Sequence, residues 1–281
     1  MIIETTGVAN PGPVINTFWS DDEVGSSLKL DGVVCVVDSA NIHSYMETDD
    51  ISNDVRMQIC YADRVLLNKW DLLGESEKEG VTALVSQLNG MAELYQTTYS
   101  KISPDLVIDI DCYSTKDPTD LAFTNKQGFL DNSICVPCDP SSMDASVFSA
   151  VTNKHSAQRL STLPLVIEGR LDQKKLNYFL DEVLYVESSE ARAAHAKDGG
   201  KAAKDKNDES MLIYRVKGVL HVDNSEYLSV LQAVHDTFDI SPSTYLRNSS
   251  SDRTEGSNKI IVIGRNIDSS RLLQGFTSCL L

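Results

Sequence analysis

Short apolar runs alternate with amphipathic stretches through the first half of the chain, a pattern typical of a parallel α/β sheet. Residues 31–38 contain the continuous apolar run Val33–Val37, as expected for a strand covered on both faces. Residues 63–68, with Val65–Leu67 at their centre, are predicted to form the next buried strand. Met1–Ile3 is predicted to end a further buried strand, and Leu106–Ile110 to form another. Three helices are predicted, at Pro11–Trp19, Asp54–Ala62 and Glu75–Asn89.

The second half of the chain has a different order of elements. Strands are predicted at Leu163–Gly169, Tyr227–Phe238 and Lys259–Gly264, a strand or hairpin at Met211–Val222, and helices at Asp172–Leu184 and Ser269–Leu280. This order suits an α+β domain whose helices pack on one face of an antiparallel sheet. We therefore predict a first domain at 1–125, a turn-rich linker at 126–158 and a second domain at 159–281. Residues 188–210 lack an apolar face, which predicts a disordered insertion.

The net charge of the chain limits the kinds of molecule that it can bind. The formal net charge of −16 over 281 residues argues against broad binding to nucleic acid, which needs a basic surface. It leaves a nucleotide open, because backbone N–H groups and one lysine can make a small pocket positive. No apolar run is long enough to span a bilayer, and the first residues lack the pattern of a signal peptide. We expect no membrane partner and a cytoplasmic location.

The sharpest local motif is Asn68-Lys69-Trp70-Asp71, which directly follows a predicted strand. Guanine presents N1–H and its exocyclic amine as adjacent donors, and a single carboxylate such as Asp71 can accept both. The aliphatic stem of Lys69 can cover the base, while Asn68 can bridge the base edge and neighbouring loops. Ligands bind at the carboxyl ends of strands in open α/β sheets, so the placement favours function. A polar turn that merely closes a strand is the alternative.

A second motif, Glu4-Thr5-Thr6-Gly7, also follows an apolar run. The Glu4 carboxylate could hold the hydration shell of a phosphate-bound Mg²⁺. Gly7, without a Cβ, would let the backbone approach a terminal phosphate. Taken alone, however, these residues fit an N-terminal strand that runs into a turn.

Five blocks along the chain resemble, in order, those of the CobW family, and more closely its eukaryotic zinc-regulated GTPase metalloprotein activators. They are Glu4–Pro11, Leu30–Asp38, Gln58–Asp71, Tyr214–Leu220 with Gln232–Asp239, and Ile260–Asp268. The resemblance implies a truncated P-loop-type GTPase domain of the α/β class, followed by a small α+β CobW C-terminal domain. It also implies GTP, Mg²⁺ and Zn²⁺ as cofactors and a client metalloprotein as the partner that receives the metal.

The resemblance also assigns roles to single residues. It gives Glu4 and Gly7 the magnesium-binding and γ-phosphate-sensing roles. It gives Asn68, Lys69 and Asp71 the recognition of guanine. Asp38, at the end of a predicted strand, fits a structural role as well as a nucleotide contact.

Two features of the family are missing from the sequence. No Gly-x-x-x-x-Gly-Lys-Ser/Thr phosphate loop and no Cys-x-Cys-Cys metal motif occurs in the 281 residues. We therefore expect a GTP-dependent zinc metallochaperone represented by only part of its sequence. The alternative is a non-catalytic interaction module, built on the C-terminal domain, with a vestigial GTPase remnant. Whether the chain hydrolyses GTP by itself stays open.

Other candidate metal ligands lie in the linker and the second domain. Cys135 and Cys138 could supply two zinc thiolates, with His155 as a third ligand, but a closed zinc site needs four. Unligated loop thiols are the alternative for the cysteines. His235, beside Asp236, could bind metal or polarise a water, although a lone histidine in an alternating strand fits a structural role.

Overall fold

The computed structural model describes residues 1–20, 22–48, 52–113, 134–136, 160–186, 211–246 and 257–281. The described residues up to 113 form one compact unit, and those from 134 onward form a second. Most of the predicted linker at 126–158 and all of the predicted insertion at 188–210 lie outside the described residues. In these ranges no helix combines the length and the apolar character needed to cross a bilayer.

The first unit is built on a parallel sheet of three strands, β1 (Val34–Asp38), β2 (Arg64–Asn68) and β3 (Glu93–Gln96), in that order. Asp38 pairs in register with Asn68, so the ends of β1 and β2 lie side by side. Its helices are α1 (Gly12–Ser20), α2 (Asp22–Ser27), α3 (Ile42–Glu47), α4 (Ser52–Tyr61) and α5 (Glu75–Leu88). The parallel sheet and the helices at α1, α4 and α5 confirm the prediction from sequence.

Three predictions for this unit were wrong. Met1–Ile3 forms no strand and is exposed, because a strand needs a neighbour to accept its hydrogen bonds. Leu106–Ile110 forms no strand, since Pro104 opens a 3₁₀ turn and Asp109 has a φ of +59°. β1 is not covered on both faces: among the described residues it is an edge strand, and Val36 on one face is 55% exposed.

The second unit contains a six-stranded sheet in the order β4-β5-β9-β6-β7-β8. Its strands are β4 (Ile134–Val136), β5 (Leu160–Glu168), β6 (Leu212–Leu220), β7 (Tyr227–Val234), β8 (Thr237–Leu246) and β9 (Ser257–Arg265). All neighbours are antiparallel except β4 and β5. The predicted strand Tyr227–Phe238 is interrupted, because His235 takes a left-handed φ of +60° and starts the turn into β8.

Two helices, α6 (Gln173–Asp181) and α7 (Ser269–Ser278), pack against one face of this sheet, as predicted. Asp172 is the N-cap of α6, and its side chain accepts hydrogen bonds from the backbone N–H groups of Lys174 and Lys175. The helices approach closely at Gly275, where an added Cβ would lie 1.9 Å from the Phe179 ring. A π-helical turn at Glu182–Val186 follows α6.

Candidate nucleotide site

Three loops that follow β1, β2 and β3 are joined at the carboxyl edge of the parallel sheet. The Ser39 amide donates to the carbonyl of Asn68 at 3.1 Å, linking the first loop to the second. The Trp70 amide donates to the carbonyl of Thr97 at 3.1 Å, linking the second loop to the third. The candidate guanine-binding loop, Asn68–Asp71, is therefore held from both sides by backbone hydrogen bonds.

Asn68 turns its side chain toward the loop after β3. Its Oδ1 accepts from the backbone N–H of Ser100 at 2.8 Å and from the Thr97 hydroxyl at 3.3 Å. The neighbouring Tyr99 and Ser100 both have positive φ values, of 54° and 52°. A strained two-residue turn of this kind persists only where the surroundings hold it, and Asn68 is part of that support.

Lys69 reaches across to the end of β1. Its backbone is left-handed, with φ 59° and ψ 31°, and its Nζ lies 2.7 Å from Oδ2 of Asp38. Partial burial alone would raise the pKa of Asp38, but hydrogen bonds from Lys69 and Asn41 and the charge of Lys69 outweigh it and lower the pKa. The hydrogen bond and charge of Asp38 in turn raise the pKa of Lys69. Both groups are therefore charged at neutral pH.

Asp71 lies in the short 3₁₀ turn Trp70–Leu72 and is exposed. Within the described part of the chain, no donor contacts its carboxylate. The exposed side chain is carried on a loop whose backbone is hydrogen-bonded to the loops on either side. This arrangement allows one carboxylate to accept two adjacent N–H donors from a ligand.

The segment Glu4–Gly7 lies in the same unit, but among the described residues no hydrogen bond or ion pair joins it to the guanine-binding loop. Glu4 is exposed and, within the described residues, makes no hydrogen bond or ion pair. The carbonyl of Gly7 accepts a hydrogen bond from Nε2 of Gln58 on α4 at 2.7 Å. A Cβ added at Gly7 would meet nothing within 4 Å, so packing does not demand glycine there. Space for close approach of a ligand remains at this position.

The candidate metal ligands are not brought together in the described residues. Cys138 and His155 lie outside them, and Cys135 lies in β4, paired with Val166 of β5. His235 occupies a turn rather than a strand, with its Nδ1 4.0 Å from an oxygen of Asp236. Across the described ranges, no group of three or more His, Cys, Asp or Glu side chains could hold a metal ion.

Comparison with known families gives matches in both units. The CobW/HypB/UreG nucleotide-binding domain matches residues 1–96, and the cobalamin synthesis protein CobW C-terminal domain matches residues 160–280. Together the two matches span more than half of the chain. The chain belongs to the CobW family.

Several curated relatives carry names that describe GTPases or zinc chaperones. The chain is 29% identical to "Zinc-regulated GTPase metalloprotein activator 1" of Schizosaccharomyces pombe, over 95% of this chain and 60% of the relative. It is 25% identical to the Saccharomyces cerevisiae protein of the same name, over 95% of this chain and 59% of the relative. It is also 36% identical to the "Zinc chaperone YjiA" of Escherichia coli, over 39% of this chain and 33% of the relative. The chain thus spans about three fifths of the first two relatives.

Solved structures agree with the CobW fold. The crystal structure of zinc-bound YjiA GTPase from E. coli aligns with a TM-score of 0.65 at 18% identity, over 98% of this chain and 69% of that one. A zinc-bound triple mutant of YjiA aligns with a TM-score of 0.66 at 19% identity, with the same coverage. The expected architecture, a P-loop-type α/β domain followed by a CobW C-terminal domain, is therefore confirmed.

The part that the third loop plays in this CobW chain is not apparent from its sequence motifs. Thr97 and Ser100 hold Asn68, but the strand that precedes them, Glu93–Gln96, is not predicted from the sequence. A signal was present in the sequence, because the polar run 97–101 follows a short stretch rich in large side chains. The pairing of Asp38 with Lys69 joins residues 31 positions apart, and no local pattern reveals it.

Proposed function

We propose that this chain binds a guanine nucleotide through Asn68–Asp71 and acts in the cytoplasm as part of a GTP-dependent zinc metallochaperone. The observation that carries the proposal is the exposed Asp71 carboxylate on a loop fixed by both neighbouring loops. Zinc is the cargo, handed to a client metalloprotein. The names of the relatives, which describe zinc chaperones and GTPase metalloprotein activators, support this part.

Recognition of the base would divide among three side chains. Asp71 accepts hydrogen bonds from guanine N1–H and the exocyclic amine. The stem of Lys69 covers the base plane, while its ammonium stays on Asp38. Asn68 keeps the third loop beside the base through Ser100 and Thr97. Adenine offers a hydrogen-bond acceptor at N1 and no amine at C2, so the same carboxylate disfavours it.

The fit to Mg²⁺ is only partial. Magnesium takes about six oxygen ligands, and Glu4 is the acidic side chain that the family resemblance assigns to it. Since the described residues hold no cluster of metal-binding side chains, phosphate oxygens and water would supply most of the coordination. Glu4 would then accept hydrogen bonds from the water shell of the ion. Gly7 would place its backbone near the terminal phosphate.

The phosphate-binding part would come from outside these 281 residues. The chain spans about three fifths of the activator relatives, and it contains no Gly-x-x-x-x-Gly-Lys-Ser/Thr sequence. We therefore propose that the expressed coding sequence extends upstream into a phosphate loop and a Cys-x-Cys-Cys motif. Sequencing the 5′ end of the transcript tests this. A stop codon directly upstream of Met1, in frame, would contradict it.

Guanine recognition is testable on the 281-residue chain by calorimetric titration with GTP, ATP and XTP in the presence of Mg²⁺. We expect GTP to bind in preference to ATP. Asp71→Asn should weaken GTP by about 10- to 100-fold, because hydrogen bonds to a charged group contribute about 1.5–3 kcal/mol. The same variant should gain affinity for XTP, whose C2 oxygen accepts from the new amide.

Asp181→Asn, at an exposed aspartate of the second unit, is the matched control and should bind all three nucleotides as wild type does. Equal affinity of the wild-type chain for GTP and ATP would contradict guanine recognition. That result would favour the alternative, a non-catalytic interaction module with a vestigial GTPase remnant. Micromolar or tighter binding of GTP, lost in Asp71→Asn, would contradict the alternative.

A further inference from the structure

The Asp38 carboxylate accepts hydrogen bonds from three side chains of the first unit. Its Oδ2 accepts from Nζ of Lys69 at 2.7 Å, from Nδ2 of Asn41 at 3.0 Å and from the hydroxyl of Tyr45 at 3.5 Å. Asn41 precedes α3 and Tyr45 lies within it. The aspartate is thus anchored to α3 as well as to β1, independently of the lysine.

The surroundings distinguish this pair from an ordinary surface ion pair. The Asp38 side chain is only 22% exposed, and its backbone is fixed in the ladder opposite Asn68. Lys69 follows Asn68 directly, with a left-handed backbone that sets where its side chain begins. Both ends of the lysine side chain are therefore held, one by the backbone and the other by Asp38.

A lysine fixed in this way presents its methylene stem in one place. The Lys69 side chain stays 46% exposed, so the stem keeps a surface that a ligand can cover. An unanchored lysine would lose rotamer freedom when a flat base packs on it, whereas an anchored lysine has lost that freedom already. Because the ammonium of Lys69 pairs with Asp38, it does not pair with Asp71, and the Asp71 carboxylate is left to accept from the base.

We propose that Asp38 is a positioning residue for guanine binding, which acts through Lys69 and does not touch the nucleotide. The inference rests on the proposed function, since it concerns the same loop. Of the two roles that the sequence left open for Asp38, this is the structural one. Asn41 supports it by holding the Asp38 carboxylate in place. Removal of Asp38 should leave Lys69 free to move and so weaken guanosine nucleotides.

A double-mutant cycle on the 281-residue chain tests the inference, with GTP·Mg²⁺ and ATP·Mg²⁺ as the titrants. Asp38→Asn should weaken GTP about three- to tenfold, with a less favourable binding entropy and no change for ATP. Lys69→Ala should weaken GTP by at least as much. Asp38→Asn should add nothing when Lys69 is already alanine, because the residue through which it acts is gone.

The control is Glu75→Gln, which breaks another lysine–carboxylate ion pair of the first unit. Glu75 lies 2.8 Å from Lys78, close to the 2.7 Å between Lys69 and Asp38. It should leave both titrations unchanged. Asn41→Ala provides a second variant if Asp38→Asn fails to fold. It loosens Asp38 without changing charge, and should weaken GTP less than Asp38→Asn in the wild-type chain and not at all beside Lys69→Ala.

The outcomes separate this inference from guanine binding itself. If the wild-type chain prefers GTP and Asp38→Asn binds it unchanged, the positioning role is overturned while guanine recognition stands. The positioning role is also overturned if Asp38→Asn weakens GTP binding equally in the wild-type chain and in Lys69→Ala, which would indicate a general structural effect. If the wild-type chain shows no preference for GTP over ATP, the proposed function and this inference both fall.

Discussion

The two units of this chain bury their sheets to very different extents. In the six-stranded sheet of the second unit, a continuous apolar cluster joins the strands to α6 and α7. In the three-stranded sheet of the first unit, the middle of β2 (Val65–Leu67) is buried, whereas β1 leaves Val34 and Val36 exposed on one face. The polar groups of the candidate site all lie on the less completely covered sheet. The second unit therefore has the features of a self-sufficient domain, whereas the first concentrates the chemistry.

The largest effect is expected from the core of the second unit. Phe276 on α7 is 1% exposed, and its ring lies edge-on to Phe179 of α6 at a centroid distance of 5.0 Å. Phe276→Ala should lower the free energy of unfolding by about 3–5 kcal/mol, because it removes apolar contacts and leaves a cavity. Chemical denaturation measures the loss, and hydrogen exchange should place it in the second unit.

Tyr178→Ala is the matched control for Phe276→Ala, since Tyr178 is an aromatic residue on α6 that is 74% exposed. Its substitution should change the free energy of unfolding by less than about 0.5 kcal/mol. If hydrogen exchange in β1–β3 rose as much as in β5–β9 with Phe276→Ala, the two units would unfold together. The view of an independently stable second unit would then be wrong.

A buried polar network is expected to contribute strongly to the stability of the first unit. Nδ2 of Asn89, a residue 1% exposed, donates to the carbonyls of Ile59, Cys60 and Ala62 at 2.7, 3.2 and 2.8 Å. Its Oδ1 accepts from the amides of the two residues at 91 and 92. Asn89→Ala should cost about 2–3 kcal/mol, because it leaves buried backbone groups unsatisfied.

Asn53→Ala provides the comparison for Asn89→Ala, because Asn53 is an exposed asparagine on α4. It should be nearly neutral. Thermal unfolding, monitored for the first unit through hydrogen exchange of the β2 amides, distinguishes the two variants. A loss below about 0.5 kcal/mol with Asn89→Ala would show that water satisfies the freed carbonyls, and that the network does not hold the end of α4 to the start of β3.

The difference between the two units also bears on which elements and contacts could be predicted from the sequence. Periodicity identified α4, β2 and α5, because the spacing of apolar residues within an element is a local signal. It missed β8, since Thr237–Leu246 alternates weakly and is exposed at several positions. The exposure of β1 depends on which strands lie beside it, and a window of residues contains no such information. The motif at Asn68–Asp71 was readable, but its anchor at Asp38 required the register of two strands.

A matched pair of substitutions on β1 tests the asymmetry of the first sheet directly. Val36 is 55% exposed and Val37 is 4% exposed, on opposite faces of one strand. Val37→Thr should cost about 1–2 kcal/mol because it buries a hydroxyl in an apolar environment. Val36→Thr, with identical chemistry, should stay within about 0.5 kcal/mol of wild type and reduce light scattering from concentrated samples. Equal losses for both would show that the Val36 face is covered in solution.

The smallest expected effect concerns the N-cap of α6 and its dependence on pH. Hydrogen bonds from the backbone N–H groups of Lys175 and Lys174 lower the pKa of Asp172 and together outweigh the opposing effect of burial. A carboxyl whose pKa is lowered on folding stabilises the protein above its unfolded pKa of about 3.9, and this contribution is lost as the pH falls through the folded value. Asp172→Ala should therefore lower the Tm of the second unit by about 2–4 °C at pH 7, with a smaller difference below about pH 4.

Asp181→Asn, at the other end of α6, should not lower the Tm, because a negative charge at a helix carboxyl end is unfavourable. A Tm difference for Asp172→Ala that stayed constant from pH 7 to pH 3 would assign the stabilisation to helix propensity instead of the charged cap.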